Sequence, residues 1–384
     1  MTTVLGFVLA ALVAANVPLA FALLITSCIV MYLMGNSLDM IPQMFVVGIQ
    51  SLVLLAVPLF MLAGNLMNEA GVTDRLFRLT RTLVGHIAGG LAHVNVLSNL
   101  IMAGMSGSAV ADATGLGVVQ IPAMRKQGYT ARFAAAITAA SATIGPIFPP
   151  SIPMVIFGGM ANVSVGKLFI GGAVPALFMA AFLMVAVSIL AKSRGLPRDA
   201  KATWRDFGAA FRQSALALVL PTIIIGGIIG GIFTPTEAAG VAAVYALGLG
   251  LFIYRTLTVQ MLPRIFAQTA VSTAVVMLII AATNPLRWVI AAEKIPDAIF
   301  RLLSEITSSP AVLLLILNIA FLILGCVMET TAIIILSTPI LIPLIKAFHI
   351  DPVHFGVVFV LNLMIGLLTP PVGMCMFVVC AIAK

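Results

Sequence analysis

Charge is what this chain has least of. Only 8% of its 384 residues are Asp, Glu, Lys or Arg, whereas soluble domains carry about 25%. With 62% hydrophobic residues and a mean hydropathy of +1.20, too little polar surface is left to meet water, and lipid is the expected solvent. No Lys or Arg precedes Arg75, so the basic start of a secretory signal is missing and residues 1–16 read as membrane helix. Cysteine is scarce as well. Cys28, Cys326, Cys375 and Cys380 lie in apolar runs without metal-ligand spacing, which argues against zinc, a disulfide or any bound cofactor.

The charge that is present is placed asymmetrically. The net charge of +8 includes Lys192, Arg194, Arg198, Lys201, Arg205 and Arg212, all in one polar stretch between two apolar segments. Short basic loops face the cytoplasm, so a membrane rather than nucleic acid accounts for the surplus. Apolar runs near the 20 residues of a perpendicular span cover about 18–34, 46–67, 132–160, 168–191, 214–233, 236–256 and 265–287. Two more, about 94–124 and 311–345, are too long or interrupted for one helix. The loops on both sides of 94–124 are basic (Arg75, Arg78, Arg81; then Arg125, Lys126, Arg132), so that segment enters and leaves on one side as a re-entrant hairpin. Carried along the chain, the same reasoning puts 288–310 outside and makes 311–345 a hairpin entering from the opposite face.

The two halves also echo each other. Asp74, Phe77, Arg78, Asn95 and Met105 match Asp297, Phe300, Arg301, Asn318 and Met328 at an offset of 223. From Ile121-Pro122 onward the offset is 221, and Ile144-Gly145 with Pro149-Pro150 recurs as Ile365-Gly366 with Pro370-Pro371. Gly/Pro-interrupted membrane segments at matching positions of two halves point to a transporter binding site. The expected fold is an all-α polytopic membrane protein with an inverted repeat, two re-entrant hairpins and two broken helices. Residues 1–191 form the first repeat, 192–213 a cytoplasmic linker and 214–384 the second repeat, whose broken helix spans about 354–384. The offset also predicts a partner for the helix at 168–191 starting near 389, past Lys384, so the second repeat is expected to lack its last helix here.

Chemistry is expected where helices break, because irregular backbone at membrane depth survives only against protein or a wet cavity. The tip Ser106-Gly107-Ser108 should face the break Gly145 to Pro153, and Glu329-Thr330-Thr331 the break Gly366 to Gly373 with Thr369. Freed carbonyls and hydroxyls suit a small hard cation, and half-helix N-termini suit a carboxylate. Pro149, Pro150, Ser151, Pro370, Pro371 and Gly373 are then expected beside the substrate. Asp112 and Glu329 are the only carboxylates in the hairpins. A charge at mid-bilayer costs about 2.5–3.5 kcal/mol, so both are functional candidates, Asp112 for gating or structure. Gly104-Met105-Ser106-Gly107 also has the form of an intramembrane serine protease motif, but His86, His93, His349 and His354 all lie near loops and leave Ser106 without a base.

Met105-Ser106-Gly107-Ser108-Ala109 with Asp112, the Gly145 to Pro153 stretch, Thr234-Pro235-Thr236-Glu237-Ala238-Ala239 and the run Glu329 to Pro343 resemble the large membrane subunit (M subunit, DctM-like) of tripartite ATP-independent periplasmic, or TRAP, transporters. The resemblance covers essentially the whole chain. It implies an elevator-type, sodium-driven carrier in the bacterial inner membrane, working with a small four-helix membrane subunit and a periplasmic solute-binding protein that delivers an organic acid. One sodium site would lie between Ser106–Ser108 and Gly145, another between Glu329–Thr331 and Gly366–Thr369, with substrate between them. A stand-alone ion-coupled carboxylate transporter of similar architecture is the alternative. No arginine falls in either hairpin or break to clamp a substrate carboxylate, so C4-dicarboxylates, sugar acids and keto acids all stay open.

Overall fold

A computed structural model describes residues 2–384, and every regular element among them is helical. The first half opens with α1 (Thr2–Ala14) and α2 (Leu19–Leu33), parted by a turn at Asn16 and Pro18, then α3 (Met40–Ile49) and α4 (Ala56–Glu69). The surface helix α5 (Val72–Val84) leads to the hairpin α6 (Gly90–Ser106) and α7 (Ala109–Lys126). A broken pair, α8 (Ala131–Ala142) and α9 (Ile152–Ala161), precedes the 30-residue α10 (Val165–Arg194). The second half runs α11 (Trp204–Ile229), α12 (Pro235–Gly248) ending in a π turn at Leu249–Ile253, and α13 (Leu262–Ala292). Then come α14 (Ile295–Ile306), the hairpin α15 (Pro310–Gly325) and α16 (Thr330–Ala347), and the broken pair α17 (Pro352–Gly366) and α18 (Met374–Ile382).

Among the described residues, six helices are long and apolar enough to span a bilayer: 52–69, 165–194, 204–229, 235–253, 262–292 and 330–347. The run at 132–160 splits into pieces of 12 and 10 residues, about 18 and 15 Å at 1.5 Å per residue, each too short to cross alone. Pro146, Pro149 and Pro150 lie in the gap, where each removes a backbone donor. The run at 46–67 is not one helix either. Asn284 Nδ2 donates to Met44 O at 2.6 Å and the Asn284 Cβ side faces Gly48, which fastens α3 to α13. Beyond extended Ser51 the chain turns away, and α4 packs chiefly on α12. Periodicity saw the apolar run but not its two partners. Residues 288–310, placed outside by the charge pattern without any element assigned, are almost wholly helical; α14 meets α15 at 115°.

The helices sort into an outer frame and an inner body. In the frame α2 and α3 pack on α13, and α4 and α11 pack on α12. In the body α6, α7 and α8 pack on one another, α15 packs on α17, and the halves interlock through α9 against α16 and α18 against α7 and α8. Phe157 of α9 lies 6.2 Å, ring centre to ring centre, from both Phe355 and Phe359 of α17, and Phe359 is 4.4 Å from Phe321 of α15. Lipid is as apolar as these rings, so close packing rather than escape from water favours this contact. Helices α5 and α14 join frame to body. Both are amphipathic; α5 buries Val72, Leu76 and Leu79 and exposes Asp74 and Arg78.

Candidate functional site

The first hairpin turns at Gly107, whose left-handed φ of +64° favours glycine and where a Cβ would overlap the Pro150 carbonyl oxygen. Gly107 O in turn accepts a hydrogen bond from Ile152 N at 3.4 Å. Tip and break therefore touch backbone to backbone. Ser108 caps α7, its Oγ accepting from Ala111 N at 3.4 Å. Ser106 Oγ donates to Asp112 Oδ1 at 2.5 Å, with the two residues 3% and 1% exposed. The other carboxylate oxygen has no hydrogen-bond partner among the described residues and lies against Gly145, where a Cβ would collide with it. Asp112, one turn down α7, thus joins Ser106 and Gly145 in one buried cluster. Behind it, Ser151 Oγ donates to Pro146 O and accepts from Met154 N, capping α9; the Pro149-Pro150 bond is cis.

The second hairpin is built differently. Glu329 itself caps α16, its carboxylate accepting from Ala332 N at 3.2 Å and Thr331 Oγ at 2.8 Å. Thr330 and Thr331 are buried and Glu329 is exposed. Gly325 and Gly366 let the ends of α15 and α17 cross in backbone contact; a Cβ on Gly366 would sit 2.7 Å from Gly325 Cα. Val372 N donates to Cys326 O at 3.0 Å, again tying break to tip. Thr369 Oγ bonds back to Ile365 O at 2.9 Å, and Pro370 and Pro371, also joined by a cis bond, are exposed. Gly373, φ +50°, starts α18.

Between the two tips lies a cavity of about 730 Å³. Gly107 to Val110 and Met328 to Ala332 line it, as do Pro146, Ile152 and Pro153 from the first break and Met364, Leu367 and Met374 from the second. The N-terminal turns of α7, α9, α16 and α18 therefore converge on one space. Free N–H groups and positive dipole ends there favour an anion. Glu329 is the only ionisable lining residue described.

Several expected residues stand behind this wall rather than in it. Ser106, Gly145, Pro149, Pro150, Ser151, Gly366, Thr369, Pro370, Pro371 and Gly373 do not line the cavity. What sequence reasoning missed is the frame's share: Val271, Ser272, Val275, Val276 and Ile279 on one face of α13, with Met61, Val13, Val17 and Leu19. Ser272-Thr273 inside a long apolar run was the only available signal. The protease arrangement is not assembled. Ser106 is bonded to a carboxylate, and the buried His93 reaches Ser188 Oγ at 3.4 Å instead.

Comparison with known proteins agrees with this geometry. Residues 7–384 match the family model of the tripartite ATP-independent periplasmic transporter, DctM component. The chain belongs to that family. It is 44% identical over 366 residues to the sialic acid TRAP transporter large permease protein SiaM of Vibrio cholerae, covering 95% of this chain and 86% of SiaM. It is 41% identical over 373 residues to the 2,3-diketo-L-gulonate TRAP transporter large permease protein YiaN of Escherichia coli, covering 97% and 88%. A crystal structure of the YdaH transporter of Alcanivorax borkumensis superposes with a TM-score of 0.60 over 86% of this chain and 77% of that one; at 13% identity this likeness shows the fold alone. The DctM chain is thus a multi-pass protein of the bacterial inner membrane, a transporter subunit and not an enzyme. As a TRAP large permease it works with a small membrane subunit and a periplasmic binding protein.

Proposed function

We propose that this DctM chain is the permease subunit of a sodium-coupled importer of an organic acid, in which α6–α9 and α15–α18 move as one body against the frame α1–α4 and α11–α13. One observation carries the reading. Both hairpin tips and four helix N-termini meet around a single cavity whose far wall belongs to α13 of the frame. A carboxylate fits the converging N–H groups without any arginine. The buried oxygen of Asp112, with Ser106 and the carbonyls freed near Gly145, offers a hard oxygen shell for a monovalent cation. A second cation would sit between Glu329–Thr331 and the Gly366–Thr369 break. Cation bound behind each tip would hold that tip against its break and so shape the anion site between them, which couples the two bindings. The sugar-acid and sialic-acid names of the relatives favour an acidic substrate, and a four-helix small subunit beside the frame completes the assembly.

The test is reconstitution of the permease with its small subunit and binding protein in liposomes, following uptake of candidate acids. Uptake should require both an inward sodium gradient and the loaded binding protein. Equal uptake with potassium outside would end the sodium reading, and uptake without the binding protein would favour a stand-alone carrier.

A further inference from the structure

The transport reading leaves unused a cavity of about 380 Å³ at the end of the frame. It lies where α4 ends, where the π turn after α12 ends, and where α11 passes the surface helix α5. Asp74, Arg75, Arg78, Arg212, Leu216 and Ile253 are among its lining residues, as is Tyr254. The Arg75 guanidinium carbon stands 3.7 Å from the centre of the Tyr254 ring, and its Nη1 donates to Ala70 O and Gly71 O at 3.1 and 3.0 Å. Ser214 Oγ donates to Arg75 O, and Tyr254 Oη to Gln213 O, both at 3.0 Å. The wall is therefore stitched from three elements before any ligand arrives.

The charges are poised for an anion. Arg78 and Arg212 are exposed, and neither is paired with a carboxylate among the described residues. Three arginines, from α5 and α11, thus share the cavity lining with a single carboxylate, Asp74. Arginine presents a planar fork of donors that matches phosphate geometry. The depth is that of lipid headgroups, because α4 and the α12 segment are membrane-length helices ending here. Along α11, Trp204, Phe207 and Phe211 stack edge to face and then in parallel, with Trp204 87% exposed, as an interfacial aromatic anchor does. Leu216 and Ile253 provide an apolar wall along which an acyl chain can descend, which free phosphate would not use. The equivalent surface helix of the second half keeps Asp297 and Arg301 but has Ala298 where Arg75 stands. The repeat was elaborated on one face only.

We propose that this cavity binds the phosphate of an anionic phospholipid of the inner leaflet, clamped between Arg75 and Arg78 on α5 and Arg212 on α11. Basic pockets between helices on the cytoplasmic side bind such headgroups. The assignment of the face rests on the basic loops; the binding itself does not depend on how the carrier moves. Since α5 joins frame to body, the lipid would brace that joint.

The test uses the delipidated complex of the full chain with its small subunit, titrated with phosphatidylglycerol or phosphatidylcholine and read by native mass spectrometry. One phosphatidylglycerol should be retained in preference to phosphatidylcholine. In the double variant Arg78→Ala/Arg212→Ala its affinity should fall roughly 30-fold, about 1 kcal/mol per arginine. Arg301→Ala on the opposite helix should leave it unchanged. Both arginines are exposed, so folding is not at stake, and thermal unfolding without lipid should match the parent. Equal retention of the two lipids, an unchanged affinity in the double variant, or displacement of the lipid by inorganic phosphate would each overturn the proposal. So would binding that appears only once the small subunit is removed.

Discussion

The two hairpin-and-break modules share a backbone plan and differ in what fills it. In the first, α6, α7 and α8 enclose buried polar side chains: Asn95 Nδ2 donates to Thr138 Oγ at 2.7 Å and Asn99 Nδ2 to Asn95 Oδ1 at 3.0 Å, with Gln120 and Ser141 also fully buried. In the second, the equivalent interior holds Phe321, Phe355 and Phe359 and one polar pair, Asn362 Nδ2 to Asn318 Oδ1 at 2.6 Å. The carboxylate moves too. Asp112 is 1% exposed and lies one turn inside α7, whereas Glu329 is exposed at the tip and is used as a helix cap. Duplication preserved the breaks, which set the backbone geometry. The side chains then diverged, leaving one carboxyl sealed in protein and one at the cavity edge.

The largest expected difference follows from that contrast. Asp112→Asn keeps the volume but removes the one carboxyl oxygen pair that the buried cluster offers a cation, and sodium-dependent uptake should fall on the order of 100-fold. Glu329→Gln retains a capping oxygen on an exposed side chain and should cost about tenfold or less. Sodium titrations of uptake in proteoliposomes would read both. Equal losses would mean that burial does not distinguish the two sites.

Backbone strain gives the next effect. At Gly107→Ala a left-handed φ and overlap with Pro150 O act together, so a loss near the upper end of about 1–3 kcal/mol is expected. At Gly373→Ala φ is +50° but the closest atom, Thr369 O, is 3.1 Å from the new Cβ, which places it near the lower end of about 1–3 kcal/mol. Thermal unfolding in detergent should rank them in that order; the reverse order would make the second break the tighter one. Smaller again are the side-chain pairs. Double-mutant cycles on Asn95–Thr138 and on Asn318–Asn362 should each give about 0.5–1.5 kcal/mol. A much larger value for the first pair would show the polar interior acting as a network rather than as separate bonds.

The sequence made the backbone plan legible because glycine and proline report it directly. Gly107, Gly145 and the Pro-Pro pairs mark where a helix cannot continue, and the break at Gly366 and the tip at Glu329 lie where the repeat put them. Partners were not legible. Nothing in the apolar run at 46–67 records that Gly48 meets Asn284, so one helix was expected where two exist. The direction of side chains was lost for the same reason: Pro149 and Ser151 are beside the cavity in sequence but turned behind it, while Val275 and Ile279 face it from a helix distant in the chain. The matches of Asp297, Phe300 and Arg301 to Asp74, Phe77 and Arg78 were a signal for the helix at 295–306, but they were used only to pair the halves, and the charge reading of 288–310 passed over it.

The weakest contact worth testing ties the linker to both the surface helix and the first hairpin. Asp199 accepts from Arg81 Nε at 2.7 Å and from Gln127 Nε2 at 2.7 Å, and its backbone N donates to Gly85 O at 2.9 Å. The second half has no such clasp described. The hydrogen bond from Arg81, chiefly, holds the Asp199 carboxyl below its ordinary value, with Gln127 and the Arg81 charge adding to it and partial burial opposing. A carboxyl whose folded pKa is depressed stabilises the protein above its unfolded pKa, near 3.9, and that contribution disappears as pH falls through the lower folded value. Arg81 stays protonated throughout. Its side chain is 47% exposed, so solvent screening keeps the pair within about 0.2–1 kcal/mol and toward the lower end. Asp199→Asn should therefore lower the unfolding temperature slightly at pH 7. The gap should narrow in molar salt, where the screening length shrinks to about 3 Å, and should start to shrink below about pH 4, closing only once the pH has fallen through the lower folded value. A gap that persists in acid would assign the stabilisation to Gln127 and the backbone bond, and the clasp would then be a matter of shape rather than charge.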